Sequence, residues 1–409
     1  MDSLTQVTLG AAVGELVLGR KLGNRAMVWG AVAGTIPDLD VMSNLVTDDI
    51  SALAFHRAIT HSFVFAVVAA PILGRLRDRM DGHSGLFWSK TRWRDYGIAA
   101  FSLFALLSLG SFRMPIPWME LLQISAVVTL AIIGFPLLSG FRAALRGQAR
   151  PESERPGFRL WTWFFFWSIV THPLLDACTT YGTQLLQPFS DFRAAINNIS
   201  VVDPVYTLPF LICVIVASRL VKGGKARMVV NGLGIAISSI YLVITFIHKQ
   251  KVDQVFEGAM ESNKIKAERY LTSPTIFNNI LWQGIAEGDT AYYYGMYSLL
   301  DKRSTIDSFV VIPKNHEWLS QYEGHRSVRV LRWFSDDYFL VFKRKDGRMQ
   351  YSDLRFGTMT GRFEGERDMV FGFILEEKNG ELIATSTDER PTDAGEGFRQ
   401  LWLRMLGQE

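Results

Sequence analysis

The apolar positions of this chain fall into two regimes. Residues 1–248 contain long uncharged apolar runs, whereas residues 249–409 alternate charged and apolar positions in short stretches, as a water-exposed domain does. A bilayer core about 30 Å thick needs roughly 20 helical residues, and about 17 can suffice. The clear candidates are 96–112, 118–141, 160–177, 205–220 and 228–247, with 61–76 as a shorter span. Ahead of them, 4–18 and 26–36 read as two brief or tilted helices, the second stopped where Pro37 lacks an N–H and disfavours helix at Ile36. The pattern predicts a mainly α-helical polytopic membrane domain over 1–248, with about eight membrane segments, the first either a span or re-entrant. A β-rich α+β extracytoplasmic domain is expected over 249–409.

The second region carries turn chemistry. Asp346-Gly347 separates 338–344 from 349–356, Asn379-Gly380 separates 371–377 from 382–387, and Gly288-Asp289 lies between 280–286 and 291–298. Such dipeptides tolerate the positive φ of a tight turn, so three hairpins are expected. A polar helix over 249–269 should lead into them, and apolar residues at 398, 401, 402, 405 and 406 predict a closing amphipathic helix. His316 and His325 lack ligand-like partners in the sequence and read as surface or packing residues.

Charge adds orientation. A chain that is 48% hydrophobic is too apolar for an ordinary soluble enzyme, and a net charge of only +3 argues against a nucleic-acid partner. The basic residues cluster in alternate loops: Arg20, Lys21 and Arg25; Arg75, Arg77, Arg79, Lys90, Arg92 and Arg94; Arg142, Arg146, Arg150, Arg155 and Arg159; Arg219, Lys222, Lys225 and Arg227. The positive-inside rule makes these loops cytoplasmic. The intervening loops, 37–60, 113–117 and 178–204, hold only Arg57, Arg113 and Arg193. The C-terminal region is then expected outside the cytoplasm, in the periplasm of a bacterium with two membranes. Met1-Asp2-Ser3 lacks the basic start of a secretory signal, so the first segment should be retained. Cys178 and Cys213 form no CxxC pattern; no disulfide is expected, and Cys178 reads as a packing residue.

Ionisable residues beside membrane spans are costly and mark functional candidates. Here they gather at one predicted face: Asp38 and Asp40 after Pro37, His56, Arg57 and His61 in His-Arg-Ala-Ile-Thr-His, and His172 and Asp176 in His-Pro-Leu-Leu-Asp. His172 and Asp176 are four apart and share one helix face, close enough to hold one ion. His56 and His61 are five apart, which on a regular helix would separate them by about 140°, so His56 is expected in a loop or first turn. Asp38 and Asp40 fall on one side of an extended segment. Pro173 frees the carbonyl of Ile169, which fits a wet cleft beside His172. Each motif also has a plainer reading: an acidic helix cap, a hydrogen-bonded helix interface or an interfacial histidine. Arg57 could bind an anionic substrate group or pair with Asp38 or Asp40. His83 and His248 are placed outside the site.

At these residues the sequence resembles the YdjM-like family of membrane-bound metal-dependent hydrolases. The likeness rests on the opening Asp-Ser-Leu-Thr-Gln with its Gly-rich apolar segment, on Pro37-Asp38-Leu39-Asp40, on His56-Arg57 with Thr60-His61-Ser62, and on His172-Pro173 with Asp176. It covers about the first 210 residues, and Tyr351–Gly357 resembles a stretch of longer members. The resemblance implies Asp38, Asp40, His56, His61, His172 and Asp176 as metal ligands for zinc, or manganese or iron, in a one- or two-ion site. The expected function is hydrolysis of a lipid or lipid-linked (phospho)ester by metal-activated water at the outer membrane face, with Asp38 or Asp40 taking the proton and Arg57 contacting the anionic group. The alternatives are a non-enzymatic binding or scaffold protein with a structural metal, and a metal or solute transporter, although no inverted repeat is evident.

Overall fold

The computed structural model describes residues 1–81, 90–145, 155–358, 363, 368–378, 380–387 and 394–408. Of the residues singled out above, His83, Arg146, Arg150 and Asn379 lie outside the described residues. The chain divides into two compact units: 1–196 with 204–242, and 197–203 with 243–409.

The first unit is helical. Helix α1 (Ser3–Leu22) begins where the Asp2 side chain accepts from the Thr5 N–H, and it ends at Gly23, whose φ of 58° suits a residue without a side chain. Helix α2 (Asn24–Thr35) runs back against it. Glycines make this hairpin tight: a Cβ on Gly10 would lie 2.3 Å from the Gly30 carbonyl oxygen, and one on Gly14 would lie 2.4 Å from that of Ala26. This is the small-xxx-small packing that lets backbones touch. Pro37 stops α2 and opens a 3-10 turn, Pro37–Leu45, which carries Asp38 and Asp40.

Helix α3 (Asp49–Phe55) is capped by the Asp48 side chain and ends at His56. Arg57 follows with φ at 58°, then a short 3-10 turn, Ile59–His61, and helix α4 (Phe63–Asp81). Helices α5 (Lys90–Gly110), α6 (Trp118–Leu145), α7 (Phe158–Asp176) and α8 (Pro204–Arg219) complete the set up to α9 (Lys225–Ser262). Buried Phe65, Ala69, Leu103, Leu107, Ile124, Trp161, Phe164 and Ile169 form the core between α4, α5, α6 and α7.

All eight apolar segments form helices, but the expectation of about eight membrane segments is corrected. Among the described residues α9 alone is long and apolar enough to cross a bilayer, and the count rises to two if the pair Asp49–His61 and Phe63–Met80, bent by 65°, is one span. The reason is length and polarity: α2 has 12 residues and α8 has 16, and α1 carries Thr5, Gln6, Thr8 and Glu15. The apolar window of α9 is only 22% buried, so it is not the core helix of a soluble fold.

In the second unit the end of α9 packs Phe256 and Ala259 against Trp282 and Tyr297. Helix α9 runs through Lys249 without a break, so the polar stretch after it extends the same helix as far as Ser262. Two four-stranded antiparallel sheets follow, each a meander. The first is β1 (Arg269–Pro274), β2 (Leu281–Glu287), β3 (Ala291–Ser298) and β4 (Val310–Pro313). The second is β5 (Phe339–Lys343), β6 (Met349–Asp353), β7 (Gly372–Lys378) and β8 (Glu381–Ser386). The three expected hairpins pair β2 with β3, β5 with β6 and β7 with β8. Strands β1 and β4 and helix α10 (Arg326–Ser335) were not anticipated; α11 (Ala394–Met405) is the closing helix.

Candidate metal centre

Three stretches of chain converge at the C-terminal end of α7. His172 and Asp176 sit one turn apart on α7, Asp38 comes from the turn after α2, and His61 from the turn before α4. One ligand atom from each lies within 4.8 Å of the others, which makes Asp38, His61, His172 and Asp176 a candidate metal-binding site. His61 Nε2 is 3.5 Å from Asp38 Oδ1 and 3.4 Å from Asp176 Oδ2, and His172 Nε2 is 3.2 Å and 3.3 Å from the same two oxygens. Ligands held tetrahedrally about zinc are separated by about 3.3–3.6 Å, from bond lengths near 2.1 Å. His61 Nε2, His172 Nε2 and Asp176 Oδ2 are buried atoms with no hydrogen-bond partner. The two imidazole nitrogens bring lone pairs to one point and Asp176 Oδ2, ion-paired with Arg57 Nε at 3.2 Å, brings negative charge to it, which a cation would satisfy, so the residues fit a metal.

The far side of each imidazole is fixed. His172 Nδ1 is 2.5 Å from the Gly34 carbonyl oxygen, and His61 Nδ1 is 3.1 Å from the hydroxyl oxygen of Thr60, which itself donates to Asp40 Oδ2, 3.3 Å from that nitrogen. An Nδ1–H donated to these acceptors leaves Nε2 as the lone pair that faces the cluster, the usual arrangement behind a metal-ligating histidine. The Gly34 carbonyl is in place because the glycine contacts let α2 lie close to α1.

Asp40 and His56 stand outside the four-residue cluster. Asp40 is fully buried and accepts from the Arg57 N–H at 2.8 Å and the Thr60 hydroxyl at 3.0 Å, with His56 Nδ1 at 2.8 Å. Burial opposes its ionisation, but the His56 and His61 rings outweigh burial and hold its carboxyl below the usual carboxylate range. Asp38 is likewise held low: burial raises its pKa, and hydrogen bonding by His172 and His61 outweighs burial and lowers it.

Arg57 pairs with neither Asp38 nor Asp40 through its side chain. Its Nε is 3.2 Å from Asp176 Oδ2, its Nη1 donates to Thr179, and its guanidinium lies 4.7 Å from the centroid of the Tyr181 ring. The side chains of Asp38 and His56 are 27% and 28% exposed, while those of His61, His172 and Asp176 are at most 1% exposed, so the cluster is reached past Asp38. Cys178 contacts the Leu174 carbonyl at 3.7 Å, and His248 bonds Asn279. Gln6 was not among the residues singled out: its amide donates to Asp176 Oδ1 at 2.9 Å, and the Met1 amino group contacts the same oxygen. The opening Asp-Ser-Leu-Thr-Gln motif was the one sequence signal for it.

A helical unit with one helix long and apolar enough to cross a membrane, and a buried His/Asp cluster, gives the class: a helical protein with a candidate metal centre. The chain belongs to the family described as YdjM inner membrane protein, whose family model matches residues 1–252. No curated protein and no solved structure matches the chain.

Proposed function

We propose that this protein is a membrane-embedded, metal-dependent hydrolase acting on a lipid or lipid-linked phosphoester at the outer face of the bacterial inner membrane. The observation that carries the reading is the convergence of Asp38, His61, His172 and Asp176, with three of their ligand atoms buried and making no hydrogen bond. Held there, a divalent ion, zinc by the ligand set with manganese or iron as alternatives, supplies Lewis acidity to a water and to a phosphoryl or acyl oxygen. Asp40 has its oxygens engaged behind His61, so it is poorly placed to take a proton. His56, held by Asp40 through Nδ1 and partly exposed, is better placed to accept one at Nε2, as is Asp38 at the mouth. Arg57 adds positive charge beside Asp176, which favours an anionic substrate group.

A multi-pass arrangement is supported by the outward faces of the helices. Leu16, Val28, Val67, Phe101, Leu130 and Ile212 come from six different helices and are 59–73% exposed, which suits helices whose outer faces meet lipid. The charge of the loops then sets the orientation.

A structural metal in a binding or scaffold protein is the second reading, and the number of candidate donors is its support: four protein ligands would fill the positions of a zinc ion, whereas catalytic zinc keeps one for water. Asp38, the one partly exposed ligand, is the group whose release would open that position. The test is detergent-purified protein with Zn²⁺ or Mn²⁺ against a panel of phosphoesters. Turnover that disappears in both His172→Ala and Asp176→Ala, with membrane insertion intact, supports the enzyme. Stoichiometric metal without turnover on any substrate leaves the structural site.

A further inference from the structure

We infer that Gln6 is a positioning residue for the metal centre: its side-chain amide occupies Asp176 Oδ1 and so presents Oδ2 to the ion. The inference rests on the candidate centre described above and concerns a residue that the hydrolase reading does not use. Gln6 lies on α1 and is 1% exposed. Burying an amide is costly unless it is hydrogen-bonded, and here the bonds are made by Nε2 while Oε1 has none. Its Nε2 spans one turn of α7, donating to Asp176 Oδ1 at 2.9 Å and to the His172 carbonyl oxygen at 3.3 Å. The amide orientation follows from chemistry, because an ionised carboxylate only accepts and Nε2 is the sole side-chain donor Gln6 offers.

Asp176 Oδ1 also meets the Met1 amino group, so that oxygen is already engaged by donors. Oδ2 makes no hydrogen bond and faces His61 and His172, with Arg57 Nε ion-paired to it at 3.2 Å. The two oxygens are thereby made inequivalent. With Gln6 removed, the carboxylate can rotate about its terminal torsion, which is broad and weakly restrained. The bond to the His172 carbonyl also ties the two α7 ligands to one side chain of α1.

The test is competition titration with Zn²⁺ on full-length, detergent-purified protein, together with the visible absorption of the Co²⁺-loaded form. Gln6→Leu removes the donor, and Gln6→Glu replaces it with a second acceptor at the same volume, so either variant can report if the other does not fold. The control is Thr5→Val, which removes the neighbouring contact to Thr207 at 2.5 Å. We expect Zn²⁺ affinity about 10–100-fold weaker in both Gln6 variants, as for loss of other partners behind a metal ligand. A changed Co²⁺ spectrum, unfolding of the metal-free protein near that of wild type, and Thr5→Val binding within about twofold of wild type should accompany it. Wild-type affinity and an unchanged Co²⁺ spectrum in a Gln6 variant would overturn the positioning role. Absence of Zn²⁺ binding by the wild-type protein would instead remove the centre itself.

Discussion

Asp40 and His316 show how a polar side chain's value depends on what it faces. Asp40 stands behind His61, its Oδ2 3.3 Å from Nδ1 and accepting from the Thr60 hydroxyl that meets the same nitrogen, which leaves Nε2 facing inward. Asp40→Asn keeps the shape and removes the charge; we expect Zn²⁺ affinity to fall about 10–100-fold in the same titration, with the protein still inserted in the membrane. His316 lies flat on Phe339, with centroids 3.8 Å apart, and its Nε2 is 2.9 Å from the Phe339 carbonyl oxygen. Burial lowers its pKa, more than the bond to that carbonyl raises it. The folded pKa is thus below the unfolded value near 6.5, so the unfolded chain binds more protons in between. Stability should fall as pH drops from about 6.5 towards the folded value. Thermal unfolding at pH 5.5 and 7.5 checks this: His316→Phe should lose less between the two than wild type.

At the scale of elements, the α1–α2 hairpin matters because it delivers the Gly34 carbonyl and Gln6 to α7. A Cβ on Gly30 would sit 2.2 Å from the Gly10 carbonyl oxygen, which is backbone and cannot swing away. Gly30→Ala should therefore push the helices apart, cost about 1–3 kcal/mol, and lower metal content after dialysis. A melting temperature equal to wild type would mean that the hairpin tolerates separation. Helix α9 is tied to α1 by a buried, bidentate ion pair: Arg227 Nε and Nη2 are each 2.6 Å from a Glu15 oxygen, and Nη1 donates to Asn24 at 2.7 Å. Arg227→Met strands Glu15 and should destabilise by about 3–5 kcal/mol, whereas joint replacement with Glu15→Leu should recover most of the loss. Comparing the single and double variants by unfolding in detergent measures the difference.

For the whole molecule, the charge pattern of the loops makes a directional prediction. A reporter fused at the C-terminus that is active only outside the cytoplasm should be active, and one active only in the cytoplasm should be silent. The reverse result would overturn the orientation read from the loop charges.

The helices, the three hairpins and the His172/Asp176 pair were legible along the chain, because each depends on neighbours within a few residues: an apolar run, a turn dipeptide, an i,i+4 spacing. Proline at 37 likewise announced the end of α2. How many helices qualify as spans was misjudged, since runs with short lengths and embedded polar residues pass a search for apolarity but not the length and composition a lone crossing needs. Strand β1 begins at Arg269, where the polar helix was expected to end, and the apolar positions of α10 recur at helical spacing without having been read as a helix. The division of the polar residues into ligands and supports was decided only by the fold. Asp38 and Asp40 are two residues apart and look alike in sequence, yet one faces His172 and the other stands behind His61. Gln6 meets Asp176 across 170 positions, and no local spacing encodes a contact whose partners are brought together solely by packing α1 on α7.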